Sequence, residues 1–235
     1  MKATAAQFRE TLDALEKHYG PQSPSWPVEP FEFLVWWHCG YPASDERCTR
    51  GWDSLSTRIG VDTQQILKAS QAALTEALRP GGMVPELRAA RMQEIAQRTV
   101  QQYGGELASL FHGELSAVRK ALKQFPGISD PGADRILLFA GRDAVAAVPS
   151  NCPHVAVRIV HGHEREDYTV TYREAQEIVS AEVPRQLAAR QRAYLLLKVH
   201  GQELCKRKPM CSRCPIQAQC AYAAGIDRGT VRAEG

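Results

Sequence analysis

The sequence predicts an all-α protein. Apolar residues recur at helical spacing through most of the chain, clusters of Gly and Pro punctuate those stretches, and the only segment that reads as extended, Tyr168-Thr-Val170, is too short to found a sheet. About ten helices are expected.

In chain order, residues 3–19 place Phe8, Leu12 and Leu15 on one stripe, and a proline-rich link from Gly20 to Pro30 follows as the clearest boundary. The stretch FEFLVWWHCG, 31–40, is apolar nearly all round, which suits a short helix buried on several sides with Trp36 and Trp37 facing different neighbours. Further helices are expected at 44–58, at 62–79 with breaks, at 87–103 and at 114–124, separated by Gly60, Pro80-Gly81-Gly82 and Gly104-Gly105. Helical patterns resume at 131–141, 154–161, 171–182 and 185–200. Asp62-x-x-Gln65 and Thr171-x-x-Glu174 have capping-box spacing, which marks helix starts.

At 235 residues and 44% hydrophobic, the chain is long enough for one sizeable core or two small lobes. No apolar run approaches the roughly 20 residues that span a membrane, and MKATAAQFRETLDALEKHYG is an amphipathic start without a signal-peptide core. A cytoplasmic location is expected, nucleoid-associated in a bacterium, with no membrane partner. The net charge of +3 does not by itself imply a polyanion, so the placement of charge matters.

A reducing compartment favours metal binding over disulfides for clustered cysteines. Cys39, Cys48 and Cys152 are scattered and read as small buried packing residues. Cys205, Cys211, Cys214 and Cys220 instead form a C-x5-C-x2-C-x5-C run within sixteen residues. Structural zinc sites usually draw on two close pairs separated by a longer loop, whereas a [4Fe-4S] cubane takes one thiolate at each of four corners. The spacing favours the cluster, with zinc and unliganded thiols as alternatives. Lys206, Arg207, Lys208 and Arg213 lie among these cysteines with no acidic residue between Cys205 and Cys220. They form a rim that offsets thiolate charge and a basic finger suited to phosphate oxygens.

In FPGISDPGADRIL, 125–137, Pro126 stops one helix, Gly127 allows backbone geometry that a β-carbon hinders, and Pro131 suits the first turn of the next helix. Backbone N–H groups then face outward at a helix N-terminus, an arrangement that binds phosphate.

A hairpin of this form, followed by a helix and about seventy residues later by a basic four-cysteine tail, resembles the endonuclease III family of DNA glycosylases in the helix-hairpin-helix superfamily. Phe31-Glu-Phe-Leu34 looks like that family's opening barrel helix, and Ala193-Tyr-Leu-Leu-Leu-Lys-Val-His-Gly201 looks like its helix leading into the cluster. The resemblance covers residues 28–222. It implies a two-lobed fold, with a six-helix barrel at 31–147, an iron-sulfur cluster domain from 1–30 and 148–222, and a tail at 223–235. It further implies a monomer that binds damaged or abasic double-stranded DNA in the cleft between lobes and flips out a base in base-excision repair. The DNA contacts it implies are Phe125, Gly127, Ile128, Ser129 and Gly132 of the hairpin and Lys206, Arg207, Lys208 and Arg213 of the cluster loop. His38-Cys-Gly-Tyr-Pro42 replaces the family's glutamine-bearing turn that fills the hole left by a flipped base, and Tyr41 there suits either stacking in that gap or core or rim packing. The four clustered cysteines are the implied [4Fe-4S] ligands.

The sequence departs from the family at the catalytic positions. Pro131 stands where the family has its nucleophilic lysine, Ser129 where the hairpin has its second glycine, and Pro149 where the catalytic aspartate belongs. An alternative register puts Cys152 at the aspartate position and supplies no carboxylate either. The first cluster gap is five residues against the family's six. Asp130, Asp134, Lys120 and Lys123 are substitutes near the hairpin, although acids there also suit a helix N-terminus for electrostatic reasons alone. His154, His161 and His163 read as surface or packing residues. The catalytic residues therefore stay unassigned. The main expectation is a glycosylase-like or abasic-lyase-like DNA repair protein, the alternative is a non-catalytic module that recognises damaged or abasic DNA, and a zinc-containing interaction protein is the most distant reading.

Overall fold

In the computed structural model the described residues are 5–163 and 165–227, and among them there is no strand. The chain is all-α, with twelve α-helices among the described residues: α1 (Ala5–Tyr19), α2 (Pro30–His38), α3 (Asp45–Arg58), α4 (Thr63–Lys68), α5 (Gln71–Leu78), α6 (Pro85–Tyr103), α7 (Leu115–Leu122), α8 (Asp130–Phe139), α9 (His154–His161), α10 (Tyr168–Glu182), α11 (Leu187–Glu203) and α12 (Ala221–Asp227). Short 3-10 turns occupy Arg79–Gly81, Leu107–His112, Cys211–Arg213 and Gln217–Gln219. No described helix is long and apolar enough to cross a membrane. Residues 3 and 4 of the expected first helix lie outside the described residues.

Local chemistry sets several helix starts. The Glu29 carboxylate accepts the Glu32 N–H at 2.7 Å with Pro30 in the first helical turn, and Asp62 and Gln65 form the reciprocal capping box at α4. Two expectations are corrected at α10. The Tyr168-Thr-Val170 segment is its first turn rather than extended chain, because Asp167 caps the helix by accepting the Val170 N–H at 2.9 Å. Thr171 is therefore inside the helix, where its hydroxyl donates to the Asp167 carbonyl at 3.0 Å, while Glu174 pairs with Arg165 at 3.0 Å. The helix over 221–227 was not anticipated, and it occupies the start of the expected tail.

The chain divides into two compact units, residues 24–136 and residues 1–23 with 137–235, so that the division falls inside α8. In the 24–136 unit, α6 packs against α2, α4 and α5, and the buried residues include Leu34, Leu55, Ile66, Leu74, Leu78, Met92 and Ile95. Trp36 and Trp37 are both buried there. The buried Arg135 guanidinium lies 3.8 Å from the Trp26 ring centroid, with Phe33, Trp36 and Trp37 within 5.5 Å, which explains two adjacent tryptophans on one short helix. In the other unit, Phe8, Leu12 and Leu15 of α1 join Val155, Ile159, Ile178, Val179, Leu196 and Leu197 in one core. Arg192 of α11 holds α1 through Asp13 at 2.7 Å and Glu16 at 2.8 Å.

Candidate functional site

The hairpin follows α7 and is anchored by apolar side chains. Phe125 and Ile128 are 2% and 6% exposed, so both serve the core and offer a ligand only backbone. The Ile128 N–H donates to the Phe125 carbonyl at 3.2 Å, and the Ser129 carbonyl takes the Ala133 N–H at 2.9 Å as the first bond of α8. Gly127 has φ +66°, and a β-carbon there would lie 3.4 Å from His38 Nε2. A β-carbon on Gly132 would meet Ile128 Cγ2 at 3.3 Å, which gives that glycine a packing role. Gly127, Ser129 and Asp130 are exposed, and among the described residues their N–H groups donate to no backbone carbonyl. Three free donors at a helix N-terminus suit an anion. Arg98 of α6, which the sequence did not single out, donates to the Gln124 carbonyl and stands 5.7 Å from the Phe125 ring.

The charges beside the hairpin are paired. Asp134 is buried and bonded to Arg119 at 2.9 Å, while exposed Asp130 meets Lys123 at 2.8 Å and Arg119 at 3.5 Å. The Lys123 hydrogen bond holds the Asp130 carboxyl below its usual range, so it is an ionised partner rather than a proton-carrying acid. Lys120 is exposed. Pro131 sits in the first turn of α8, and Pro149 is buried with its carbonyl accepting the Cys152 N–H at 3.2 Å. Cys152 packs where a β-carbon on Gly201 would meet its Sγ at 2.7 Å, and it faces the Leu197 carbonyl at 3.8 Å. It is a core residue, as are Cys39 and Cys48.

Two further turns stand out in the 24–136 unit. Tyr41, 37% exposed, stacks on Trp37 with centroids 4.2 Å apart. Met83, Val84 and Leu87 form an exposed apolar group, and Val84 is held at φ +49°, a strained setting for a β-branched residue. Arg88 lies beneath both turns and is 1% exposed. It donates to the Met83 carbonyl at 3.0 Å, Leu78 at 3.0 Å, Gly82 at 2.7 Å and also Cys39. A β-carbon on Gly81 would collide with the Cys39 carbonyl, so the two turns meet backbone to backbone. The sequence carried no signal for this arginine, because its partners are carbonyls.

The four clustered cysteines line one small cavity of about 20 Å³, walled by Ile159, Leu204, Pro209, Met210 and Ala223. Among the described residues no three His, Cys, Asp or Glu side chains converge to hold a metal ion. Four thiols on one loop are a donor set that suits either a [4Fe-4S] cluster or a zinc ion. Burial pushes the Cys205 and Cys214 thiols up to about 11 and raises Cys220 as well. Arg158, 2% exposed, shapes the loop by donating to the Lys206 carbonyl at 2.7 Å and the Arg207 carbonyl at 3.1 Å, with Nη1 3.7 Å from Cys205 Sγ. His154 was expected as a surface or packing residue, yet its Nε2 meets the Cys205 carbonyl at 2.8 Å. Lys206, Arg207, Lys208 and Arg213 are exposed on the loop.

An all-α chain with this hairpin and this cysteine loop has the architecture of the helix-hairpin-helix glycosylases. No family model matches the chain. It is similar to a protein of Methanocaldococcus jannaschii provisionally named a DNA repair glycosylase, with 26% identity over 86% of this chain and 90% of the relative. It is also similar to a thymine-DNA glycosylase of Aeropyrum pernix, with 23% identity over 94% of this chain and 96% of the relative. A solved endonuclease III–DNA complex superposes with a TM-score of 0.75 at 18% identity, over 96% of this chain and 99% of that one. A thermostable thymine-DNA glycosylase superposes with a TM-score of 0.70 at 18% identity, over 94% and 99%. By fold the chain is endonuclease III-like, and a divergent example of it.

Proposed function

We propose that this protein is a DNA repair protein of the glycosylase type that binds damaged or abasic double-stranded DNA and carries a [4Fe-4S] cluster. The exposed, unpaired N–H groups of Gly127, Ser129 and Asp130 carry the DNA reading. In this reading they hold one backbone phosphate, and Lys120, Lys206, Arg207, Lys208 and Arg213 add sequence-independent attraction. Tyr41 stacks in the space a displaced base leaves, and exposed Met83 acts as an apolar wedge beside it, an established way of opening base steps. Cys205, Cys211, Cys214 and Cys220 hold the cluster, which supplies a rigid scaffold for the basic loop and an electron-transfer centre.

This reading assigns no catalytic step to residues 131 or 149, since proline offers neither an amine nor a carboxylate. The similarity to named glycosylases over most of the chain favours a second reading, base removal by a displaced group. One experiment separates them: cluster-loaded protein is given labelled duplexes containing an abasic site or a mismatch, with borohydride present. Site-selective binding without base release or cleavage supports recognition alone. A trapped adduct points to Lys120 or Lys123, base release without an adduct points to water activated by a carboxylate, and binding no tighter than to intact duplex overturns the lesion reading.

A further inference from the structure

Tyr19 and His200 lie 181 residues apart in sequence, and in the structure the Tyr19 hydroxyl stands 3.0 Å from His200 Nδ1. The other ring nitrogen, Nε2, is 3.7 Å from Cys214 Sγ. His200 is 1% exposed, so water does not compete for either nitrogen. The His200 carbonyl also takes the Leu204 N–H at 3.0 Å and the Cys205 N–H at 2.8 Å, which ties the end of α11 to the first cysteine of the loop. One residue thus touches the loop at two of its four cysteines.

The chemistry of the groups decides the tautomer. A metal-bound thiolate only accepts hydrogen bonds, a neutral imidazole has one N–H and one lone pair, and a phenol can donate. The arrangement satisfying all three has Tyr19 O–H donating to Nδ1 and Nε2–H donating to the sulfur. A buried N–H directed at a cluster thiolate stabilises the more reduced state, since added negative charge strengthens the bond.

We infer that Tyr19 and His200 form a hydrogen-bond relay to Cys214 that raises the reduction potential of the cluster. The inference rests on the cluster reading above. Tyr19 and His200 are positioning residues, because neither contacts the reacting part of a DNA substrate.

The test uses the full chain, reconstituted anaerobically, as wild type, Tyr19→Phe and His200→Leu, without DNA. Iron and sulfide content and the visible absorption are measured first, and a colourless wild type without bound iron overturns the cluster reading and the relay with it. Potentials are then read by redox titration followed by absorbance or electron paramagnetic resonance. The expected result is a more negative potential in both variants, larger for His200→Leu, with cluster content unchanged in Tyr19→Phe. Fe–S stretching bands in resonance Raman spectra shift up in parallel. If His200→Leu fails to hold the cluster, Tyr19→Phe decides alone, since it removes a single hydroxyl. A wild-type potential in cluster-replete Tyr19→Phe overturns the relay.

Discussion

Arg119 of α7 donates to the Asp134 carboxylate of α8 at 2.9 Å, and the two side chains are 36% and 1% exposed. This ion pair bridges the helices on either side of the hairpin, so the turn is held from beneath by Phe125 and Ile128 and from the flank by charge. It also accounts for Asp134 without assigning it chemistry.

Arg119→Ala leaves a buried carboxylate without this partner and should destabilise the fold by about 1–3 kcal/mol, the partial exposure of the arginine keeping the cost below that of a fully buried pair. Urea unfolding at constant slope measures it. A midpoint equal to wild type would mean that the pair is replaced by solvent at no cost.

Gly127→Ala places a β-carbon at a left-handed position beside His38 and should cost about 1–2 kcal/mol. DNA binding should weaken together with it, with a salt dependence close to wild type because the lost backbone N–H contact carries no net charge. Fluorescence anisotropy on an abasic duplex at several salt concentrations reads both quantities.

Arg88→Lys keeps the charge but cannot reach four carbonyls with one ammonium. A loss of about 2–4 kcal/mol is expected from the carbonyls left unsatisfied. Because Arg88 underlies the turns bearing Tyr41 and Met83, affinity for an abasic duplex should fall more than affinity for intact DNA. Equal losses on the two duplexes would limit Arg88 to a structural role.

Burial pulls His38 down from its ordinary value to about 4. A folded-state value below the unfolded one means that the unfolded chain takes up a proton first as the pH falls. This contribution is therefore complete above about pH 6.5 and is lost between there and about pH 4, where it reaches about 3 kcal/mol at most. His38→Gln should flatten that part of the stability profile, measured as unfolding midpoints from pH 7 to pH 4. An unchanged slope would show that His38 protonates equally in both states.

Cys205→Ser, Cys211→Ser, Cys214→Ser and Cys220→Ser should each lower bound iron in the reconstituted protein, whereas Cys39→Ser should not. Cys39 is fully buried in the other unit and affects stability alone. Iron content and visible absorption check this.

Much of the architecture was legible because it is written in short-range chemistry. The stripe Phe8, Leu12, Leu15, the Asp62–Gln65 box and the Pro126-Gly127 turn each involve residues within a few positions of one another, so pattern and backbone preference suffice. Tyr168-Thr-Val170 misled because β-branched and aromatic residues favour strands, while one Asp167 side chain capping the Val170 N–H overrides that preference. The cysteine spacing marked the loop, and nothing local revealed what holds it.

The sequence by itself determined the all-α class, the hairpin, the compact cysteine run and the absence of lysine and aspartate at residues 131 and 149. Tertiary structure alone decided the partners: Arg88 on the Cys39 carbonyl, 49 residues away, Arg158 on the Lys206 carbonyl, 48 away, and Tyr19 on His200, 181 away. The reason is physical. A buried arginine or histidine is stable only where the fold converges acceptors on it, and main-chain carbonyls, which every residue possesses, leave no mark in a sequence.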